Sequence, residues 1–371
     1  MRSNEKRPTR QLGRRRTAWW AVPFLVAVLP STASSDDGRY AISAAVSNDP
    51  SKTPLILLQD NEANVEAAIA PSKGGELSGL KVRHRGRWIE TLYLARDYAP
   101  REGWTGKAPL LWPATGRNFP PDLEARRKAG ESFNDGAYLL NGKRYKMPIH
   151  GFARDLPWRV EKTAAQEKRA LAKLSLRDTP ETRKRYPFGF SIEANYSLEG
   201  GALLIGYRVR ASKANRAPMP FSIGNHITFV SPLVQGTNPT DMELVTPSKT
   251  ELLKTAYGLP TGESRARGHA DGVKLGDFER LSAVSLTGYE GDPFIVYRDP
   301  GGLAIRMSHS ASEIPGPPVV LYNLWGDVAG GFFSPEPWVG LQNSLVLGKG
   351  LIRLRPGDVF AWTIRIEFER Q

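Results

Sequence analysis

Between Phe190 and Val209 the chain alternates apolar and polar residues with a period of two, interrupted only by Gly200-Gly201. Phe190, Ile192, Ala194, Tyr196 and Leu198 fall on one face, and Ser191, Glu193, Asn195 and Ser197 on the other. After the glycines, Leu203, Ile205, Tyr207 and Val209 resume the pattern. Side chains two apart share one face of a strand, so the stretch predicts a half-buried antiparallel hairpin. The C-terminus repeats the signal. Ile352 and Leu354 alternate with Arg353 and Arg355, Pro356-Gly357-Asp358 turns the chain, and Trp362, Ile364, Ile366 and Phe368 then oppose Ala361, Thr363, Arg365 and Glu367. Few segments show a 3.6-residue period. Glu161 to Leu176 contains helix formers but fits an alternating strand equally well. With 36 glycines and 29 prolines, turns are favoured over long helices. The expected fold is all-β, a large antiparallel sandwich. No linker is evident between Leu77 and Phe368.

The N-terminus reads differently. Arg2, Lys6, Arg7, Arg10, Arg14, Arg15 and Arg16 precede an apolar run from Ala18 to Leu29, broken by Pro23, and Ser31-Thr32-Ala33 offers small residues for cleavage. Residues 1–33 are expected to be a secretory signal, with an uncleaved anchor as the alternative. Arg14-Arg15 or Arg15-Arg16 also suits twin-arginine export. The product is expected to be exported, periplasmic or secreted, with no stable membrane insertion after cleavage. Residues 34–53, rich in Ser, Asp, Ala and Asn, read as a flexible mature N-terminus, and 54–371 as the β-sandwich domain.

The chain has no cysteine, which excludes a thiol nucleophile and a disulfide framework. The leader holds seven of the basic residues and one acid, so its removal leaves +7 of the formal +13. The densest basic stretch, Arg177 to Arg185, is interrupted by Asp178, Pro180 and Glu181 and reads as a solvated loop, not a nucleic-acid stripe. Pro71-Ser72-Lys73-Gly74-Gly75 is a turn without phosphate-loop spacing.

Five histidines are present. His84 lies among arginines and reads as a polar turn, His269 as a loop residue, and His309 as a strand-face residue. His150 taken singly reads as structural or exposed. Glu336, between Pro335 and Pro337, taken singly reads as an exposed strand-end charge flanked by turn formers. Their context changes this. Leu110-Leu111-Trp112-Pro113-Ala114-Thr115-Gly116-Arg117 and Leu139-Leu140-Asn141-Gly142-Lys143-Arg144-Tyr145 come first, Asn141-Gly142 being a turn signal in its own right. His150-Gly151-Phe152-Ala153-Arg154, Gly224-Asn225-His226 and Glu336-Pro337-Trp338 follow.

In this order and spacing the segments resemble the aldose 1-epimerase (galactose mutarotase-like) family from Gly75 to Phe368. The resemblance implies a supersandwich fold and interconversion of the α and β anomers of a free aldohexose such as glucose or galactose. No cofactor and no metal is implied. It casts Glu336 as the base, His226 as the acid, and Arg117 and His150 as sugar-binding residues. A neighbouring carboxylate is expected to raise the protonated fraction of His226. Trp325 and Trp338 are candidates either for stacking on a sugar face or for the core. A sugar-binding aspartate is left open between Asp271 and Asp277. His226 is followed by Ile227-Thr228-Phe229 where the family commonly has proline and an aromatic, and the charged segment Pro120 to Phe133 is expected at the pocket rim. A hexose-phosphate mutarotase and a non-catalytic glycan-binding protein on the same fold are the competing readings.

Overall fold

A computed structural model describes residues 32–94, 105–120, 122–130, 136–256, 258–278, 284–312 and 319–371. The expected signal, residues 1–33, lies outside the described residues apart from its last two.

Among the described residues the fold is all-β and antiparallel, built on three large sheets. The predicted hairpin lies in the largest. Phe190–Glu199 pairs with Ala202–Ala211 in register from Phe190↔Ala211 to Glu199↔Ala202. Gly200 and Gly201 both have positive φ, 57° and 75°, as a two-residue turn matched to strand twist requires. Glu161 to Leu176, ambiguous in the sequence, is a second hairpin, Arg159–Gln166 with Arg169–Arg177. The C-terminal strand Val359–Arg370 lies between Ala202–Ala211 and Leu303–Ser312. Its apolar face is buried as read, through Trp362, Ile364 and Ile366, with Phe368 partly covered.

A second sheet packs on this one. It runs through Pro260–Ala266, Thr250–Lys254, Val284–Thr287, Val320–Asp327, Phe332–Val339, Ile223–Asn225 and Leu110–Leu111. Aromatic rings cross the interface: Tyr297 of the first sheet meets Phe229 and Phe333 at centroid distances of 6.0 and 5.2 Å. Other buried rings keep their polar ends bonded, with Tyr322 Oη donating to Met307 O at 2.8 Å and Trp362 Nε1 to His309 Nδ1 at 3.1 Å. Aligned sheets interdigitating in this way give a sandwich.

The third sheet corrects one expectation. Residues 34–53 are not a flexible N-terminus throughout: Tyr40–Val46 pairs along its length with Pro54–Asp60. Tyr40 and Ile42 are buried, and the Tyr40 hydroxyl accepts the Gly200 N–H at 2.9 Å. Two apolar residues at strand spacing outweigh the polar composition around them. His84 is likewise not a turn residue. It ends the strand Glu76–His84, buried, with Nε2 3.2 Å from Gly301 O. His269 lies on the strand His269–Lys274. The Arg177 to Arg185 stretch holds a short helix, Pro180–Arg185, capped by Thr179.

Trp362 lies at the centre of the largest sheet, stacked on Tyr207 at 5.5 Å. Trp362→Ala is expected to cost about 3–5 kcal/mol in urea unfolding, because the surrounding strands cannot close over the cavity. Leu139→Ala, at a position 64% exposed, is expected to stay within about 0.5 kcal/mol.

Candidate active site

Three chain segments converge at one end of the second sheet. The first is anchored by Trp112, fully buried among Phe152, Tyr186, Phe190 and Phe221. Its carbonyl accepts the Phe152 N–H at 2.9 Å, and its N–H donates to His150 O at 3.2 Å. Gly151 sits between them with φ +73°, and a Cβ there would lie 2.0 Å from Trp112 O. Only glycine fits, so the His150-Gly151 pair follows from backbone packing as well as chemistry.

His150 itself has φ +64°, an uncommon conformation for a residue with a Cβ. Its N–H donates to Gly116 O at 2.9 Å, and the Gly116 N–H donates back to its Nδ1 at 3.0 Å. Because Nδ1 is an acceptor, a neutral ring carries its proton on Nε2. Loss of water around the ring, and then electrostatic repulsion by its neighbours His226, Arg154 and Arg117, hold its pKa well below the usual histidine value. His150 is therefore a fixed N–H donor and not a titrating acid.

The second segment brings His226. The strand Phe332–Val339 pairs with Ile223–Asn225 only at Trp338 and Val339, and with Phe229–Val230 only at Phe332 and Phe333. Ser334 to Pro337 thus has no partner strand on that edge, and His226 enters at the gap. Its N–H donates to Pro109 O at 3.0 Å. Its ring packs edge-on against His150 and Trp325, at 5.3 and 5.5 Å.

Glu336 is the third. It is not an exposed strand-end charge but lies in mid-strand, 1% exposed, opposite Asn323. The flanking prolines are tolerated because the strand lacks a neighbour there to demand their N–H groups. Asn323 Nδ2 donates to Oε1 at 3.1 Å and Trp338 Nε1 to Oε2 at 3.2 Å. Oε1 stands 3.7 Å from His226 Nε2.

Arg117, His150, His226 and Glu336 all line one cavity of about 1180 Å³, larger than most small-molecule pockets. Trp325 and Trp338 line it too. Trp338 is buried and committed to Glu336, whereas Trp325 is only partly buried. Of the two aspartates, Asp277 lines the cavity and Asp271 does not. Arg127, from the helix Leu123–Lys128, reaches the rim from the charged segment.

Asn323, Lys254 and the Glu251–Arg265–Arg267 group also line the cavity and were not singled out from the sequence. Asn323 was within reach: a hairpin turning at Asp327 to Gly331 sets it opposite Glu336. Lys254 carried no such signal.

Burial pushes the Glu336 carboxyl up to about 8 despite Asn323, Trp338, Lys254 and Arg154, which all act to lower it. Burial, followed by the Arg154 charge, pushes His226 down to about 3. This reverses the expected rise in His226 protonation. A carboxyl that is itself neutral exerts no pull on the ring. Near neutrality the pair thus holds one exchangeable proton, on the carboxyl.

A profile described as aldose 1-epimerase matches residues 56–276, more than half of the chain. The galactose mutarotase of Homo sapiens is 27% identical over 258 residues, 65% of this chain and 68% of that protein. A galactose mutarotase-like protein from Clostridium acetobutylicum superposes with a TM-score of 0.67 at 20% identity, covering 89% of this chain and 99% of that one. A galactose 1-epimerase from Lactobacillus acidophilus gives 0.63 at 13%, covering 89% and 98%. The chain belongs to the aldose 1-epimerase family.

The raised Glu336 pKa makes a stability prediction. A carboxyl with a folded-state pKa above its unfolded value stabilises the fold fully below about pH 4.3 and loses that contribution as pH rises through about 8. The unfolding free energy of Glu336→Gln minus wild type is expected to grow between pH 5 and pH 9, by on the order of a few kcal/mol. A difference that stays flat across this range would show that the carboxyl ionises as freely folded as unfolded.

Proposed function

We propose that this pocket interconverts the α and β anomers of a free aldohexose, glucose or galactose, by opening and reclosing the ring. The observation that carries this is the carboxyl–imidazole pair, 3.7 Å apart and facing one cavity. The reaction needs one group to take the proton from the anomeric hydroxyl and another to protonate the ring oxygen as the C1–O5 bond breaks. Glu336 takes the first role and His226 the second. The product of opening is an aldehyde with Glu336 protonated and His226 neutral. Rotation about C1–C2 presents the other carbonyl face, and the protons return along the same routes. His150 donates through Nε2 to a sugar oxygen, Arg117 holds hydroxyl groups, and Trp325 offers a face to the apolar side of the ring.

Opening requires the proton on His226 and not on Glu336, so a sugar with a closed ring draws it across the pair. Both directions need one proton on the pair, and that state is lost above about pH 8.

A second reading has a specific observation behind it: Arg117, Arg127, Arg265 and Arg267 line the same cavity and would suit a hexose phosphate. Against it, Arg265 and Arg267 are both bound to Glu251, at 2.9 and 2.6 Å. An exported protein would also meet chiefly free sugars. Export is part of the proposal, and cell fractionation tests it.

Polarimetry of freshly dissolved α-glucose and α-galactose is expected to show faster decay with the protein present. Glu336→Gln and His226→Gln are each expected to lower kcat by about 10²–10⁴-fold with the fold intact, and wild-type kcat/KM should decline above about pH 8. Unchanged decay with saturable sugar binding would instead mark a binding protein. Preference for glucose 6-phosphate would select the second reading.

A further inference from the structure

If Glu336 is the base, it has to become an anion inside a buried wall. A row of side chains running across four strands bears on how. In register, Leu252 pairs with Ser285, Ser285 with Asn323, and Asn323 with Glu336. An asparagine can present either end of its amide to a neighbour. Here the Asn323 oxygen receives two donors, Lys254 Nζ and Ser285 Oγ, each at 3.1 Å. Only the NH₂ end is left for Glu336, and it donates to Oε1 at 3.1 Å. Lys254, at the end of Thr250–Lys254, is therefore one amide away from the carboxyl.

We propose that Lys254 is a positioning residue for the anomerisation, acting through Asn323: it locks the amide with its donors toward Glu336 and supplies the positive charge that lets the buried carboxyl ionise. This rests on Glu336 being the base.

The other charged and titratable groups leave that role to Lys254. Glu251, on the same strand, is bound by Arg265 and Arg267 and, with Glu336, favours the charged form of Lys254. Arg154 is a second cation, with Nη2 donating to Ile149 O at 3.1 Å, but it acts on Glu336 less strongly than Lys254 does. Arg117 acts on His150. Both histidines are held neutral by burial. Burial also lowers Lys254 to about 8, so it remains a cation in the range where the pair holds its proton.

Lys254→Gln keeps an N–H for Asn323 and removes the charge; Lys254→Arg keeps both and does not titrate near pH 8. In polarimetry against pH, the Gln variant is expected to lose about tenfold in kcat, with little change in KM, and its alkaline limb should move up by about one unit. The Arg variant is expected to recover most of the rate. A Gln variant with wild-type kcat and an unmoved limb would overturn the inference, as would an Arg variant as impaired as the Gln one. Should the Gln variant fail to fold by circular dichroism, Asn323→Asp answers instead. It still accepts from Lys254 but gives Glu336 no donor and adds a negative charge, so kcat should fall and the limb rise. An unmoved limb there counts against the inference. A wild-type protein inert in the same assay sinks the proposed function itself, whereas an active wild type indifferent to Lys254 sinks only this step.

Discussion

One carboxyl, held out of water with a donor on each oxygen, shapes the pocket end of this molecule. Burying an ionisable group costs several kcal/mol, and fixed donors offset that cost only if they are themselves held in place. Trp338 Nε1 reaches Oε2 because the indole packs against Gly224, where a Cβ would come within 2.5 Å of the ring. Asn323 reaches Oε1 because its own oxygen is already taken by Lys254 and Ser285. Gly224-Asn225-His226 therefore has two jobs. It carries the imidazole, and it vacates the space that the carboxyl's second donor needs.

The pairing of strands explains how residues distant in sequence come to face each other. A continuous sheet would leave Glu336 flanked by neighbours on both edges and no room for a side chain from elsewhere. The neighbour on one edge is instead split into Ile223–Asn225 and Phe229–Val230, and the residues between them hold His226. Thr228 Oγ1, 2.6 Å from Ser334 Oγ, closes the far side of the gap with a side-chain contact where a ladder bond is missing. Beside it, the zipping of Trp112 to the His150–Ala153 backbone brings the His150 ring against His226.

Strand periodicity made most of the sandwich readable, because alternation at Phe190 to Val209 and at Trp362 to Phe368 has one stable solution once a face is buried. It failed where composition was used in its place. Tyr40 and Ile42 hold a strand within a polar stretch, and Pro335 and Pro337 read as turn formers although they sit in a sheet. His150, His226, Arg117 and Glu336 were legible only through their shared order, and the structure does bring them to one cavity. Lys254 was not legible, because a lysine ending an apolar run looks like any strand terminus. Its position depends on a register across four strands that no local pattern encodes. The choice between Asp271 and Asp277 was of the same kind, since both lie in turn-rich sequence and only the folded chain puts Asp277 at the cavity.

The direction of the two pKa shifts bears on how such a pair would work. With the carboxyl raised and the imidazole lowered, the favoured arrangement is a protonated Glu336 beside a neutral His226. In the proposed reaction that is the arrangement matched to the open-chain sugar, in which O1 is a carbonyl seeking a proton and O5 a hydroxyl with one to give. A site complementary to the ring form would hold the ion pair instead, and would bind its substrate tightly at the expense of turnover. Only interactions stronger later along the reaction path than at its start accelerate the chemical step. In that reaction, burial at Glu336 and His226 would bias the pocket toward the opened sugar, while the Lys254 cation would bring the ion pair closer in energy; Arg154 favours the carboxylate but opposes the imidazolium. In the proposed cycle, the balance between desolvation and the Lys254 charge would set the cost of the proton transfer that begins it.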